Sequence, residues 1–189
     1  NRMIYVVASE QNHHFQVLFS ILKDFSYTWA SKLYHLNYGL VHLESGRMKS
    51  REGTIVDSDD LIKELEELAM DEINKRYKNL SKIEKIKRSQ IISMSALRYY
   101  FLKVERIKEM VFKPEESISF DGNTGPYLLY TYARAKSILR KSSTNKNKFK
   151  ISEVSDLEKS LILQLSNFPE IVKRAYLNLA SNLIANYAY

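Results

Sequence analysis

Arg47, Lys49 and Arg51 stand at alternate positions in the stretch Gly46-Arg47-Met48-Lys49-Ser50-Arg51-Glu52-Gly53-Thr54. A glycine bounds it on each side, and the apolar run Tyr38-Gly39-Leu40-Val41 comes before it. Glycines let backbone N–H groups turn toward a bound group, and the cationic side chains answer negative charge. Such a loop after a strand suits an anion, above all a polyphosphate. Basic turns are also common as solvated surface, so the loop alone leaves both readings open. A second stretch, Phe120-Asp121-Gly122-Asn123-Thr124-Gly125-Pro126-Tyr127, reads as a helix start. Asn123 or Thr124 can serve as the N-cap side chain, and Pro126 falls at a natural first helical position.

The elements that must position these residues follow from periodicity. Met3–Ala8 is a short apolar run rich in β-branched residues, which predicts a buried and parallel strand. Ser9–Asn12 makes a turn, and Phe15, Leu18, Phe19 and Leu22 repeat at helical spacing to about Lys23. That is half of a βαβ unit, and its strand delivers Ser9, Glu10, Gln11, Asn12, His13 and His14 to the end where such sheets bind ligands. His35–His42 reads as a further strand leading into the cationic loop.

Asp57–Asn79 reads as a helix with the stripe Leu61, Leu65, Leu68, Ala69 and Ile73; Asp57, Asp59 and Asp60 suit the dipole at its start. Ser81–Glu109 reads as a second long helix with a possible break at Ser93-Met94-Ser95. Phe112–Ser119 reads as a loop or short extended piece, Tyr127–Arg140 as a helix, and Lys141–Lys150 as a basic linker. Two last helices, Ser155–Leu165 and Glu170–Tyr189, flank Asn167-Phe168-Pro169. A βα segment thus leads into an all-helical remainder.

The bulk numbers agree with a sizeable core and a polyanionic partner. The chain has 189 residues, 44% of them hydrophobic, and a net charge of +7. It has no cysteine, which excludes disulfides and a thiolate zinc site. No apolar run approaches the ~18–20 residues that span a bilayer. The chain opens directly on a strand, without a secretory leader, and closes in helical character, which reads as a piece of a longer protein.

Four stretches, in this order, resemble the arginyl-tRNA synthetases, which are class I aminoacyl-tRNA synthetases. The first is Tyr5-Val6-Val7-Ala8-Ser9-Glu10-Gln11 with His14. The second is Tyr38-Gly39-Leu40-Val41 leading into Gly46–Gly53. The third is Ser95-Ala96-Leu97-Arg98-Tyr99-Tyr100-Phe101-Leu102-Lys103. The fourth and most specific is Phe120–Tyr130 with Ala133-Arg134. The resemblance spans residues 1 to about 140, and the remainder is similar only as helices of a bundle. It implies the C-terminal part of a Rossmann-like nucleotide-binding domain (residues 1–57), a helical connecting region (58–119), an interdomain helix (120–142) and a truncated helical anticodon-binding bundle (143–189).

It also implies ATP-dependent ligation of L-arginine to tRNA(Arg) through an arginyl-adenylate, in the cytoplasm, by a monomeric parent with no membrane partner. Arg47, Lys49 and Arg51 would stabilise the leaving pyrophosphate, because phosphoryl chemistry is mostly positioning and charge stabilisation. Met48 and Ser50 of the same loop, His14, and the backbone at Gly39 and Val41 would meet ATP. Gln11 would line the arginine pocket, and Asn123, Tyr127 and Arg134 would face tRNA. No resident metal is implied; Mg²⁺ would arrive with ATP.

The sequence departs from the family at several points. The family's loop usually reads close to GKMSSRKG, whereas here Lys49 replaces a serine and Glu52 a basic residue. Leu129 stands where glutamine is usual and Tyr132 where histidine is frequent. There is no HIGH-type sequence, and the family's main arginine-binding carboxylates would lie upstream of Asn1, so this chain alone is expected to be inactive. Lys49 and Glu52 are the residues that lean toward a non-catalytic RNA-binding module. A different class I synthetase is the rival within enzymes.

Overall fold

β1 (Met3–Ala8) passes through a 3₁₀ turn, Ser9–Gln11, into α1 (Asn12–Asp24), and the chain returns as β2 (Leu33–Tyr38). The computed structural model describes residues 2–43, 46–47, 57–142 and 153–189. β1 and β2 pair in parallel, Met3 opposite Leu33 through Ala8 opposite Tyr38. Tyr5 packs its ring on Phe15 and Phe19 of α1, at 5.2 and 5.9 Å between centroids. That contact assigns the odd-numbered positions of β1 to the helix-covered face. Val6, on the other face, is 63% exposed. A buried strand was the expectation, but a single helix covers only one face of a two-stranded sheet.

The expected strand His35–His42 divides at Gly39-Leu40. β3 (Val41–Leu43) follows this break and joins a second sheet, antiparallel to β4 (Gly46–Arg47) and parallel to β5 (Met110–Phe112). A side chain at Gly39 would place its Cβ 2.2 Å from the Lys108 carbonyl oxygen, so only glycine lets the two backbones cross here. Residues 1–56 and 104–113 form one compact unit, and residues 57–103 and 114–189 form another.

In the second unit α2 (Ser58–Arg76) and α3 (Lys82–Leu102) pack together. Asp57 caps α2 through Asp59 N–H, and Ser81 caps α3 through Glu84 N–H. Leu61, Leu65, Ala69 and Ile73 are buried, as the stripe predicts. The expected helix to Glu109 stops at Leu102, because residues 103–109 turn back toward the β5 pairing. No break occurs at Ser93-Met94-Ser95. Ser89, Ser93 and Ser95 each donate a hydroxyl hydrogen bond to the carbonyl three residues earlier, which satisfies them inside the helix. Ser89, Ser93 and Ala96 then form a seam of small buried residues on α3.

α4 (Pro114–Ser117) and α5 (Gly125–Lys141) pack on α3. α6 (Asp156–Ser166), α7 (Phe168–Asn178) and α8 (Asn182–Ala188) complete the described residues. A full capping box, Ser155 with Glu158, starts α6. The expected last helix divides where Leu179 takes a left-handed conformation with φ of 50°. The expected linker lies mostly outside the described residues.

Candidate functional site

Parallel pairing carries the carboxyl ends of β1 and β2 to the same place, since Ala8 stands opposite Tyr38. The turn Ser9–Gln11 leaves one strand there and Gly39 leaves the other. Gln11 immediately precedes α1, and its Oε1 accepts a hydrogen bond of 2.5 Å from His14 Nδ1. The two residues lie one helical turn apart, so the sequence spacing alone makes this contact possible. Gln11 is half-buried and His14 exposed.

Beside them runs a polar network. Asn37, near the end of β2, donates through Nδ2 to Asn12 Oδ1 at 3.0 Å. Arg106 donates through Nη1 to the Asn37 carbonyl at 2.5 Å and to its Oδ1 at 2.6 Å, and through Nη2 to the Tyr34 hydroxyl at 3.4 Å. Arginine is purely a donor, so Asn37 must present Oδ1 to it and Nδ2 to Asn12. Sequence reasoning missed Arg106 and Asn37. The available signal was an asparagine in a strand otherwise rich in apolar and aromatic residues.

A cavity of about 280 Å³ opens between α1 and β2, lined by Asn12, Phe15, Gln16, Phe19, Tyr34, His35 and Asn37 among others. His35 stacks on Phe15 at 4.3 Å between ring centroids, and its Nε2 donates to the Val7 carbonyl at 3.0 Å. These contacts give His35 a structural duty across the strand pair.

Val41 begins β3, half-buried, and Arg47 belongs to β4, where it stands opposite His42. The Arg47 side chain lies outside what is described, as do Met48, Lys49, Ser50 and Arg51. Next to this hairpin His42 Nε2 meets Glu109 Oε2 at 3.1 Å, across the β3–β5 pair.

The tRNA-facing candidates belong to the second unit. Asn123 Oδ1 accepts a hydrogen bond from the Tyr99 hydroxyl, and its carbonyl accepts from Lys103 Nζ at 2.9 Å. Burial lowers the Lys103 ammonium below its ordinary value, with Glu116 opposing. Thr124, and not Asn123, caps α5: its Oγ1 accepts from Tyr127 N–H at 3.2 Å and donates to the Ser119 carbonyl at 2.6 Å. Tyr127 packs edge-on against Tyr189. Arg134 lies over the Tyr130 ring, 5.5 Å from its centroid, with both side chains on the exposed face of α5. Among the described residues no group of three or more His, Asp or Glu could hold a metal ion, and no helix is long and apolar enough to cross a membrane.

The model of the class I tRNA synthetase (R) catalytic domain matches residues 1–113, and that of the DALR anticodon binding domain matches residues 128–189. A curated arginine–tRNA ligase of Flavobacterium psychrophilum is 48% identical over 189 residues, covering 99% of this chain and 31% of that protein. The arginine–tRNA ligase of Treponema denticola is 43% identical, covering 100% of this chain and 33% of that protein. Among solved structures, arginyl-tRNA synthetase of Thermus thermophilus superposes with a TM-score of 0.85 at 29% identity, covering 99% of this chain and 31% of that one. The chain therefore spans about a third of the length of the curated relatives it matches. Its fold is the C-terminal part of a Rossmann-like domain followed by helices of the anticodon-binding type. With the catalytic-domain match extending over residues 1–113 of 189, the chain belongs to the class I tRNA synthetase (R) family.

Proposed function

We propose that this chain serves, within a complete polypeptide, the ATP-dependent ligation of L-arginine to tRNA(Arg) in the cytoplasm of its cell. The observation that carries this reading is a catalytic-domain match over residues 1–113 followed, in the same chain, by an anticodon-binding match over residues 128–189. The arginine carboxylate attacks the α-phosphorus of ATP, the bond to the bridging oxygen breaks, and pyrophosphate leaves. The 3′-terminal adenosine of tRNA then takes the arginyl group, releasing AMP.

In this reading Arg47, Lys49 and Arg51 stabilise charge on the leaving pyrophosphate. Met48 and Ser50 shape the same loop, while His14, Gly39 and Val41 border the nucleotide. Gln11 offers Oε1 to the substrate guanidinium, and the bond from His14 pre-orients that carboxamide. Mg²⁺ enters as the companion of ATP. Asn123, Tyr127 and Arg134 meet tRNA; Arg134 brings charge to phosphate.

The test is arginine-dependent exchange of pyrophosphate into ATP by the complete polypeptide, with tRNA(Arg) present, followed by charging of that tRNA. Exchange and charging with arginine alone among the amino acids is the expected result. No exchange with any amino acid would sink the proposal.

A further inference from the structure

We propose that Arg106 is a positioning residue for the nucleotide side of this site, acting through the carboxyl end of β2 and not by touching substrate. The inference rests on the adenylate-forming reading above and adds to it a residue that no motif marks.

Only Gly39 and Leu40 separate β2 from β3, and both are held from the segment that follows α3. Gly39 N–H donates to the Arg106 carbonyl at 2.7 Å, and Met110 N–H donates to the Leu40 carbonyl at 3.1 Å. The Lys108 carbonyl fills the space beside the Gly39 α-carbon. The Arg106 side chain adds the forked bond to the Asn37 carbonyl and Oδ1. One residue thus grips β2 through both its main chain and its side chain, on either side of Tyr38.

The grip continues past the strand. Asn37 passes it to Asn12, the first residue of α1, and Asn12 adjoins Gln11, which holds His14. Arg106 therefore ties together the backbone at Gly39 and the turn that carries Gln11 and His14. The acceptors of its side chain among the described residues, the Asn37 carbonyl and Oδ1 and the Tyr34 hydroxyl, are neutral, so these contacts fix position and do not neutralise charge. What the guanidinium supplies is direction: Nη1 reaches both Asn37 acceptors while Nη2, held in the same plane, reaches the Tyr34 hydroxyl, a fixed geometry that a freely rotating ammonium lacks.

The experiment uses the complete polypeptide with Arg106→Gln, Arg106→Lys and Asn12→Ala, measuring KM for ATP and tRNA and kcat in exchange and charging. Arg106→Gln is expected to raise the ATP KM about tenfold while the tRNA KM stays within about twofold, since small misplacements near a reacting group are costly. Arg106→Lys should resemble Arg106→Gln. Asn12→Ala should raise the ATP KM about threefold, and the double variant Asn12→Ala/Arg106→Gln should be no worse than Arg106→Gln alone, as members of one network are non-additive. A purely structural role would lower the active fraction, and hence kcat, with KM unchanged.

An active wild type whose Arg106→Gln variant folds and keeps its ATP KM within about twofold overturns the assignment and leaves the adenylate reading standing. An inactive wild type overturns that reading itself. Should Arg106→Gln fail to fold, Asn12→Ala decides, and an unchanged ATP KM there overturns the proposal.

Discussion

Gly125 lies against the main chain of Ser95 so closely that a side-chain carbon on it would sit 2.1 Å from the Ser95 carbonyl oxygen. The first turn of α5 thereby rests directly on the backbone of α3. Thr124 caps that turn, Asn123 ties it to Tyr99 and Lys103, and Pro126 is buried beside it. The stretch Phe120–Tyr127, which in the sequence carries the most specific point of resemblance, is in this fold a helix-docking device.

Gly125→Ala is expected to destabilise the second unit by about 3 kcal/mol, at the upper end of overpacking costs, because the obstacle is backbone and cannot rotate away. Gly39→Ala should do the same to the first unit, where the Lys108 carbonyl stands at 2.2 Å. Denaturant unfolding of the two variants checks this; loss of a few tenths of a kcal/mol would refute it.

Tyr99→Phe should cost about 1–2 kcal/mol, the usual effect of stranding buried acceptors. The single phenolic hydrogen is shared between Asn123 Oδ1 and the Ala185 carbonyl, the latter at 3.2 Å, joining α3 to the α5 cap and to α8. Burial, and then Tyr189, raise this phenol above its ordinary value, so it stays a donor through neutral pH. The same unfolding measurement, compared with Tyr176→Phe at an exposed position of the same unit, reads the difference.

Acid should weaken the second unit below about pH 4.5. The Lys75 hydrogen bond holds the Glu72 carboxyl below its ordinary 4.5, with burial opposing and Arg76 adding to it. The Ser155 hydroxyl and N–H do the same for Glu158. The unfolded chain takes up these protons first, so the native state binds fewer of them through this window. The stabilisation is complete above 4.5 and is lost as pH falls through the depressed native values. Melting temperature against pH, with Glu72→Gln and Glu158→Gln flattening the fall, is the check.

Arg51→Ala in the complete polypeptide should lower exchange by about 10²–10³-fold, as loss of a charge-stabilising group does. Lys49→Ser, which restores the residue usual in the family, should retain activity. A silent Arg51→Ala would remove the loop from the chemistry and favour a binding role for the chain.

The 189-residue chain alone, given ATP, arginine and tRNA(Arg), should show no exchange. Turnover by it would mean that residues 1–189 contain a whole site without a HIGH-type sequence.

Local faces were legible in the sequence because they depend on spacing alone. The stripe Leu61, Leu65, Ala69 and Ile73 follows from a period of three to four residues, the strand Met3–Ala8 from its continuous apolar, β-branched run, and Pro126 at the head of its helix from the residues that start it. The helix end at Leu102 was not legible, because apolar residues continue beyond it and only the pairing of β5 with β3 says where they go. Tertiary structure alone decided that Gly39 makes room for Lys108, that Gly125 makes room for Ser95, and that Arg106 grips a strand end 69 residues away. Periodicity reports which side of an element is buried. It cannot report which distant backbone arrives there, because that depends on how the whole chain returns on itself.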